Sequence, residues 1–161
     1  MNVSKICPAL ILSAVLALPA FADQEPEGRR LASLGFASSD ANEDGQLTMI
    51  EMLEYFELAR VSMDADDNGT IDRAEFMGWD FGFSQLAEET GNVQGFETAQ
   101  KFVFDFWDRN DDQVITAQEQ SASMMANMMY ADLDGSATLS EQEFLSGFII
   151  NIAYRAALKP E

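Results

Sequence analysis

The sequence predicts an all-α fold in which four helix-loop-helix units form one compact domain. Three observations lead to this prediction. An acidic 12-residue segment occurs four times, the copies begin 24, 44 and 24 residues apart, and apolar stretches of helical length separate them. We expect about six helices, with short β bridges between neighbouring loops.

Residues 1–22 are predicted to be a signal peptide. Lys5 makes the start basic, residues 6–18 are almost wholly apolar, and residues 20–22 read Ala-Phe-Ala, which fits the A-x-A cleavage rule. The apolar run is shorter than the ~20 residues that a membrane-spanning helix needs, so we expect no span after cleavage. The sequence therefore predicts a periplasmic or secreted protein whose domain comprises residues 23–161.

The composition excludes several classes of function. The chain has 28 acidic and 9 basic residues and a net charge of -19. This charge disfavours nucleic acid and anionic membranes as partners and favours cations or a basic protein target. There is no His, and the single Cys7 lies in the predicted signal peptide. Histidine bases and Cys/His zinc sites are thereby excluded, and we expect no enzyme activity.

The first helix is predicted over residues 26–38, with Leu31, Leu34 and Phe36 facing the core. Loop 1 follows at residues 40–51 and fits the pattern D-x-[DN]-x-[DN]-G-x5-E at every specified position. This spacing is typical of a calcium-binding loop.

The pattern meets the needs of Ca²⁺, a hard cation that takes six to eight oxygen ligands. Positions 1, 3 and 5 supply side-chain oxygens, position 7 its backbone carbonyl, position 9 a direct or water-mediated contact, and position 12 two carboxylate oxygens. Glycine at position 6 permits the sharp turn. The predicted ligands in loop 1 are Asp40, Asn42, Asp44, Gln46, Thr48 and Glu51.

Loop 2, at residues 64–75, fits the full pattern as well. Its predicted ligands are Asp64, Asp66, Asn68, Thr70, Asp72 and Glu75. Four of these are carboxylates, against three in each of the other loops, so loop 2 is predicted to be the strongest site.

The connector at residues 76–107 contains nine aromatic residues, and Gly91-Asn92 is the predicted break between its helices. Loop 3 follows at residues 108–119, with Gln113 in place of the glycine at position 6. A left-handed Gln113 would cost about 1 kcal/mol, so we expect a weaker site. The predicted ligands are Asp108, Asn110, Asp112, Val114, Thr116 and Glu119.

Loop 4 is assigned to residues 132–143. Placing Gly135 at position 6 would put Tyr130 at the first ligand position, whereas a start at Asp132 puts an apolar residue at position 8, as in the other loops. The predicted ligands are Asp132, Asp134, Ser136, Thr138, Ser140 and Glu143. Ala137 then replaces the glycine and Ser136 is a poor ligand, so we expect weaker binding than in loops 1 and 2.

These four loops resemble those of the EF-hand family of calcium-binding proteins. The resemblance implies one helix entering and one leaving each loop, with apolar residues four and one before it. Phe104 and Trp107 match this expectation before loop 3, whereas Arg60 departs from it before loop 2.

The spacing predicts which loops pair. Residues 52–63 separate loops 1 and 2, and a helix of that length holds them ~18 Å apart. Residues 120–131 separate loops 3 and 4 in the same way. We therefore expect loop 2 beside loop 3 and loop 1 beside loop 4, with Ile71 bridged to Ile115 and Leu47 to Leu139.

The signal segment, the short spacing and the count of four loops also resemble lanmodulin, an exported bacterial EF-hand family that prefers lanthanides. That family has Pro at loop position 2 and favours Asp at position 9. Here position 2 holds Ala41, Ala65, Arg109 and Leu133, and only Asp72 matches at position 9. These departures weaken the lanthanide interpretation.

The helices around loop 4 leave the role of the apolar surface open. Met124, Met125, Met128 and Met129 favour core packing, but a Met-rich face can also bind partners. The last helix is predicted over residues 141–158, either as a core closure or as a partner surface.

We expect Ca²⁺ binding by an exported protein that acts as a buffer or as a sensor. The alternatives are a calcium-dependent interaction protein with a Met/aromatic surface and a lanthanide binder.

Overall fold

The computed structural model of the protein describes residues 26–158, so the predicted signal peptide lies outside the described residues. The all-α class is confirmed: this part of the chain forms eight helices and four three-residue strands. Their bounds are α1 (Glu27–Ser39), β1 (Gln46–Thr48), α2 (Met49–Met63), β2 (Thr70–Asp72), α3 (Arg73–Gly78), α4 (Ser84–Thr90), α5 (Val93–Trp107), β3 (Val114–Thr116), α6 (Ala117–Ala131), β4 (Thr138–Ser140), α7 (Glu141–Gly147) and α8 (Ile149–Ala157). No helix in residues 26–158 has both the length and the apolar character needed to cross a membrane.

The predicted pairing of the loops is confirmed. Strand β1 pairs antiparallel with β4, and Leu47 lies opposite Leu139. Strand β2 pairs antiparallel with β3, and Ile71 lies opposite Ile115. All four of these side chains are buried. Loops 1 and 4 therefore share one small sheet, and loops 2 and 3 share the other.

The prediction of about six helices was wrong, because two predicted helices are each broken in two. After loop 2, the helix ends at Gly78, and the Asp80 carboxylate accepts hydrogen bonds from the backbone N–H groups of Gly82, Phe83 and Ser84. These bonds precede a separate helix, α4. The break predicted at Gly91-Asn92 is confirmed, since Gly91 ends α4 with φ of 72°.

The last predicted helix also breaks, at Phe148, whose backbone is extended. The Asn127 side chain accepts a hydrogen bond from the Ile149 N–H at 3.2 Å, and the Asn151 side chain donates to the Phe144 carbonyl at 3.0 Å. The first bond satisfies a backbone N–H that the break leaves without a helical partner, and the second adds to the bond that the Phe144 carbonyl already accepts from the Phe148 N–H. The extended conformation buries the Phe148 ring completely, 5.6 Å from the ring of Phe56.

Aromatic rings join the four units into one core. Trp107 contacts Phe56 and Phe76 edge to face, with ring centroids 5.7 and 5.6 Å apart. Tyr154 of α8 stacks on Phe83 at 5.3 Å. Phe104 and Trp107 are buried, as the sequence predicted. The helices before and after the loops therefore share a single apolar cluster.

Three predictions about burial were wrong. Leu34 is 51% exposed, because its face of α1 points away from the core. On α6, Met124 and Met128 are buried as predicted, but Met125 and Met129 are 49% and 78% exposed. This helix presents only one side to the core. Met125 and Met129 each follow a buried methionine directly, so they lie about 100° further around the helix and outside that side.

We expect Gly147→Ala to destabilise the fold. An added Cβ would lie 2.6 Å from Cα of Ala131, where α7 crosses the end of α6, so the two backbones would have to separate. The expected loss is about 1–3 kcal/mol of unfolding free energy, measured by urea denaturation. Gly35→Ala is the matched control within α1, because its Cβ would meet nothing within 4 Å. The Gly35→Ala variant should gain about 0.5–1 kcal/mol of unfolding free energy. Equal changes in unfolding free energy for the two variants would refute this account of Gly147.

Candidate metal centre

The four loops share one backbone conformation. In each loop the residues at positions 4 and 6 have positive φ, between 57° and 86°. These pairs are Glu43 and Gly45, Asp67 and Gly69, Asp111 and Gln113, and Gly135 and Ala137. The repetition supports the assignment of loop 4 to residues 132–143. It also confirms that Gln113 takes the left-handed conformation, with φ of 72°.

The aspartate at position 1 organises each loop. The two carboxylate oxygens of Asp40 accept hydrogen bonds from the backbone N–H groups of Asp44 at 3.2 Å and Gly45 at 2.8 Å. Asp64, Asp108 and Asp132 make the same two bonds in their own loops. The first predicted ligand of each loop is therefore held in place by the backbone turn of its own loop.

The glutamate at position 12 is held by the helix that leaves the loop. In loop 1, the Thr48 hydroxyl accepts a bond from the Glu51 N–H, and the Glu51 carboxylate receives the Thr48 N–H and hydroxyl at 2.9 and 2.7 Å. This reciprocal arrangement is a capping box. The same box occurs at the start of α3, α6 and α7, where position 9 is Asp72, Thr116 and Ser140. The side chains predicted as ligands at position 9 therefore act as helix caps here.

The same bonds lower the pKa of three of these glutamates. The Thr48 N–H lowers the pKa of Glu51, and the Thr116 N–H lowers that of Glu119. The Ser140 hydroxyl is the main cause of the lowered pKa of Glu143. Three of the four position-12 carboxylates are thus charged acceptors that are nine-tenths buried beside their loops.

Three of the predicted acidic ligands lie close together in loop 2 and in loop 4. In loop 2, oxygens of Asp64, Asp66 and Glu75 all lie within 4.8 Å of one another. In loop 4, Asp132, Asp134 and Glu143 form the equivalent group. Like charges at this separation repel one another, and a shared cation would relieve that repulsion.

Within residues 26–158, loops 1 and 3 form no such triad of carboxylates. Both have Asn at position 3 and Asp at position 5, and the position-5 carboxylate turns toward the strand that follows. Asp44 accepts from the Gln46 N–H at 2.9 Å, and Asp112 from the Val114 N–H at 3.1 Å. In loop 3, one carboxylate oxygen of Glu119 is buried and accepts no hydrogen bond from the described part of the chain. A buried acceptor of this kind suits a cation.

Two arginines contact the loops in a way that the sequence did not indicate. Arg60 of α2 donates to the Gly69 carbonyl at position 6 of loop 2, at 3.2 Å. Arg73, the first residue of α3, donates to the side chain of Gln113 in loop 3 at 3.1 Å. The second contact joins residues 40 positions apart, which is why local sequence patterns do not reveal it.

Scans against protein-family models and against curated proteins find no match for this chain. The interpretation of the site therefore rests on the loop geometry and on the chemistry of its oxygen ligands.

We expect Thr116→Ala to lower the unfolding free energy of the metal-free protein by about 1 kcal/mol. The substitution removes the hydroxyl that accepts from the Glu119 N–H and donates to the Glu119 carboxylate, while the backbone N–H of residue 116 still donates to that carboxylate. The pKa of Glu119 is lowered in the fold, so its stabilising contribution is present above its ordinary pKa of 4.5 and is lost as pH falls through the lowered value. The difference between the two proteins should therefore shrink below pH 4.5.

The measurement is urea denaturation over a pH series. Thr98→Ala is the control, since Thr98 is exposed in the middle of α5 and its hydroxyl bonds the Gln94 carbonyl. A deficit in Thr116→Ala that does not change with pH would contradict the proposed role of the Glu119 charge.

Proposed function

We propose that this protein binds Ca²⁺ in four EF-hand loops, after export from the cell. The observation that supports the proposal most directly is the triad of Asp64, Asp66 and Glu75, whose oxygens lie within 4.8 Å of one another in loop 2. The triad lies at positions 1, 3 and 12 of a calcium-loop pattern that loops 1 and 2 match in full and that loops 3 and 4 match with substitutions, among them Gln113 and Ala137 at position 6. In this proposal, export follows from the predicted signal peptide.

The chemistry of the ligand set favours a hard cation. Together the loops offer carboxylate, amide, hydroxyl and carbonyl oxygens, and they offer no imidazole or thiolate. Such a set suits Ca²⁺ better than Zn²⁺ or copper, which prefer nitrogen and sulfur ligands. Trivalent lanthanides are also hard cations, and loop 2, with four carboxylates, is the loop that would favour them most.

The grouping of charge differs between the loops. Loops 2 and 4 have Asp at position 3 and group three carboxylates, whereas loops 1 and 3 have Asn there, which offers a neutral amide oxygen instead. We therefore infer that a bound cation relieves more charge repulsion in loops 2 and 4 than in loops 1 and 3. Position 9 would contact the ion through water, because its side chain caps the helix.

The proposal fits a calcium buffer or a protein that calcium stabilises. Each loop is held by its position-1 aspartate, by its capping box and by a strand shared with another loop. A site that is already shaped needs little rearrangement to bind the ion. Binding at a hundred times the dissociation constant would stabilise the fold by about 2.7 kcal/mol for each site.

One observation supports a second candidate function, a calcium-dependent interaction with a protein target. The end of α6 and the start of loop 4 present an apolar stripe of Met125, Met129, Tyr130 and Leu133, of which the last three are 77–80% exposed. The Leu133 N–H donates to the Glu143 carboxylate at 2.9 Å. An ion that binds the Glu143 carboxylate would therefore compete with its hydrogen bond from the Leu133 N–H, which lies within the stripe.

Glu75→Gln should remove one Ca²⁺ site. Position 12 supplies two of the oxygen ligands, so the affinity of loop 2 should fall by more than roughly tenfold. Calorimetric titration of the mature protein with Ca²⁺, Mg²⁺ and La³⁺ measures stoichiometry and selectivity together. Glu97→Gln, on the exposed face of α5, is the control that removes the same charge outside the loops. Fewer than two Ca²⁺ ions bound to the unaltered protein would refute the proposed function.

The buffer and the interaction protein differ in their response to an apolar dye. An interaction protein should bind more dye when Ca²⁺ is added, and Met129→Gln should reduce that increase, because Met129 lies in the exposed stripe. Leu34→Gln is the matched control, since it removes an exposed apolar side chain from α1. Dye fluorescence that Ca²⁺ leaves unchanged would count against the interaction protein and favour the buffer.

A further inference from the structure

We propose that Arg73 and Gln113 form a side-chain bridge that couples ion binding in loop 3 to ion binding in loop 2. The inference rests on the proposed function, because it assigns a positioning role within two of the proposed calcium sites. Arg73 occupies position 10 of loop 2, and Gln113 occupies position 6 of loop 3. Neither position supplies a metal ligand.

Arg73 makes three contacts with the loop 3 unit. Its Nε donates to the Gln113 side-chain oxygen at 3.1 Å, and its Nη2 donates to the Asp105 carboxylate at 2.5 Å. Its guanidinium carbon lies 4.3 Å from the centre of the Phe104 ring. The planar guanidinium can make these three contacts at once, which a lysine cannot do. A residue of loop 2 is thereby anchored to the helix that leads into loop 3.

The contact gives a reason for glutamine at position 6. Loops 1 and 2 have Gly45 and Gly69 there, and a side chain in this left-handed conformation is strained. The Gln113 side chain offsets that strain with two polar contacts, to Arg73 and to the Asp111 carboxylate at 3.3 Å. Ala137, at the same position of loop 4, has no side-chain group that could bridge to another loop.

The bridge ends on the residue that holds the first ligand of loop 3. The Gln113 N–H donates to the Asp108 carboxylate at 2.9 Å. At the other end, Arg73 directly follows Asp72, the cap that bonds Glu75 of loop 2. An ion that fixes Asp72 and Glu75 would therefore also fix Arg73, and through Gln113 would favour the binding-competent position of Asp108.

Electrostatics alone predicts the opposite effect for loss of this arginine. A positive charge near two cation sites repels the ions, so its removal should tighten Ca²⁺ binding. If Arg73 acts instead through the bridge, its removal should weaken loop 3. The sign of the change therefore separates the two explanations.

The experiment uses the full mature chain with Glu51→Gln and Glu143→Gln, which silence loops 1 and 4. The backbone amide of Val114 reports Ca²⁺ binding to loop 3 by NMR. We expect Arg73→Met to raise the dissociation constant of loop 3 by about fivefold. Arg109→Met is the matched control, because Arg109 is an exposed cation at position 2 of loop 3. Removal of the Arg109 charge should leave the dissociation constant of loop 3 unchanged or lower it.

Gln113→Met tests the bridge from the other side, since it retains the strained backbone and removes the polar contact. It should weaken loop 3 as Arg73→Met does, and the double variant should be no weaker than either single variant. If thermal denaturation shows no folded state for metal-free Arg73→Met, the Gln113→Met variant alone provides the test. A further Glu75→Gln change should weaken loop 3 in the parent protein but have little additional effect in Arg73→Met.

The outcomes separate the bridge from the proposed function. Tighter or unchanged loop 3 binding in Arg73→Met, together with Ca²⁺ binding in the parent protein, would overturn the bridge and leave the proposed function standing. If the parent protein bound no Ca²⁺ in loops 2 and 3, the proposed function and the bridge would both be overturned. Additive effects of the two single variants would also overturn the bridge.

Discussion

The length of two helices dictates the arrangement of this protein. Helices α2 and α6 each have 15 residues, so each spans roughly 22 Å. Each of these helices begins at one loop and ends at the next. Loops that are neighbours in sequence therefore lie at opposite ends of a rigid helix. Their short strands can then pair only across the molecule. The pairings of Leu47 with Leu139 and of Ile71 with Ile115 follow from this constraint.

The loops combine strong negative charge with a tightly bonded backbone. Each position-1 aspartate bonds two backbone N–H groups, and three of the position-12 glutamates have lowered pKa values because helix-capping groups donate to them. The carboxylates lie close together in loops 2 and 4, and their mutual repulsion destabilises the chain. This balance is well suited to a cation-binding protein, because a bound ion removes the repulsion without requiring the loop to be rebuilt.

Local patterns predicted the loops well because the chemistry of a 12-residue turn is local. The start of loop 4 at Asp132 followed from placing an apolar residue at position 8, and the left-handed Gln113 followed from its place in the turn. The breaks at Asp80 and Phe148 have different causes. Asp80 accepts local hydrogen bonds from the N–H groups at the start of α4, a capping signal that the sequence analysis did not use. Phe148 leaves the helical conformation so that its ring fills the core beside Phe56, and this break depends on tertiary packing.

By itself, the sequence determined the fold class, the bounds of the four loops and the pairing of their strands, since these follow from residue spacing and from the rise of a helix. Only the tertiary structure decided which methionines of α6 are buried, where the last helix breaks and which side chains cross between loops. The contact of Arg73 with Gln113 illustrates the difference. The contact depends on the pairing of two strands, which brings together residues 40 positions apart. A local sequence pattern does not predict a contact between residues so far apart in the chain.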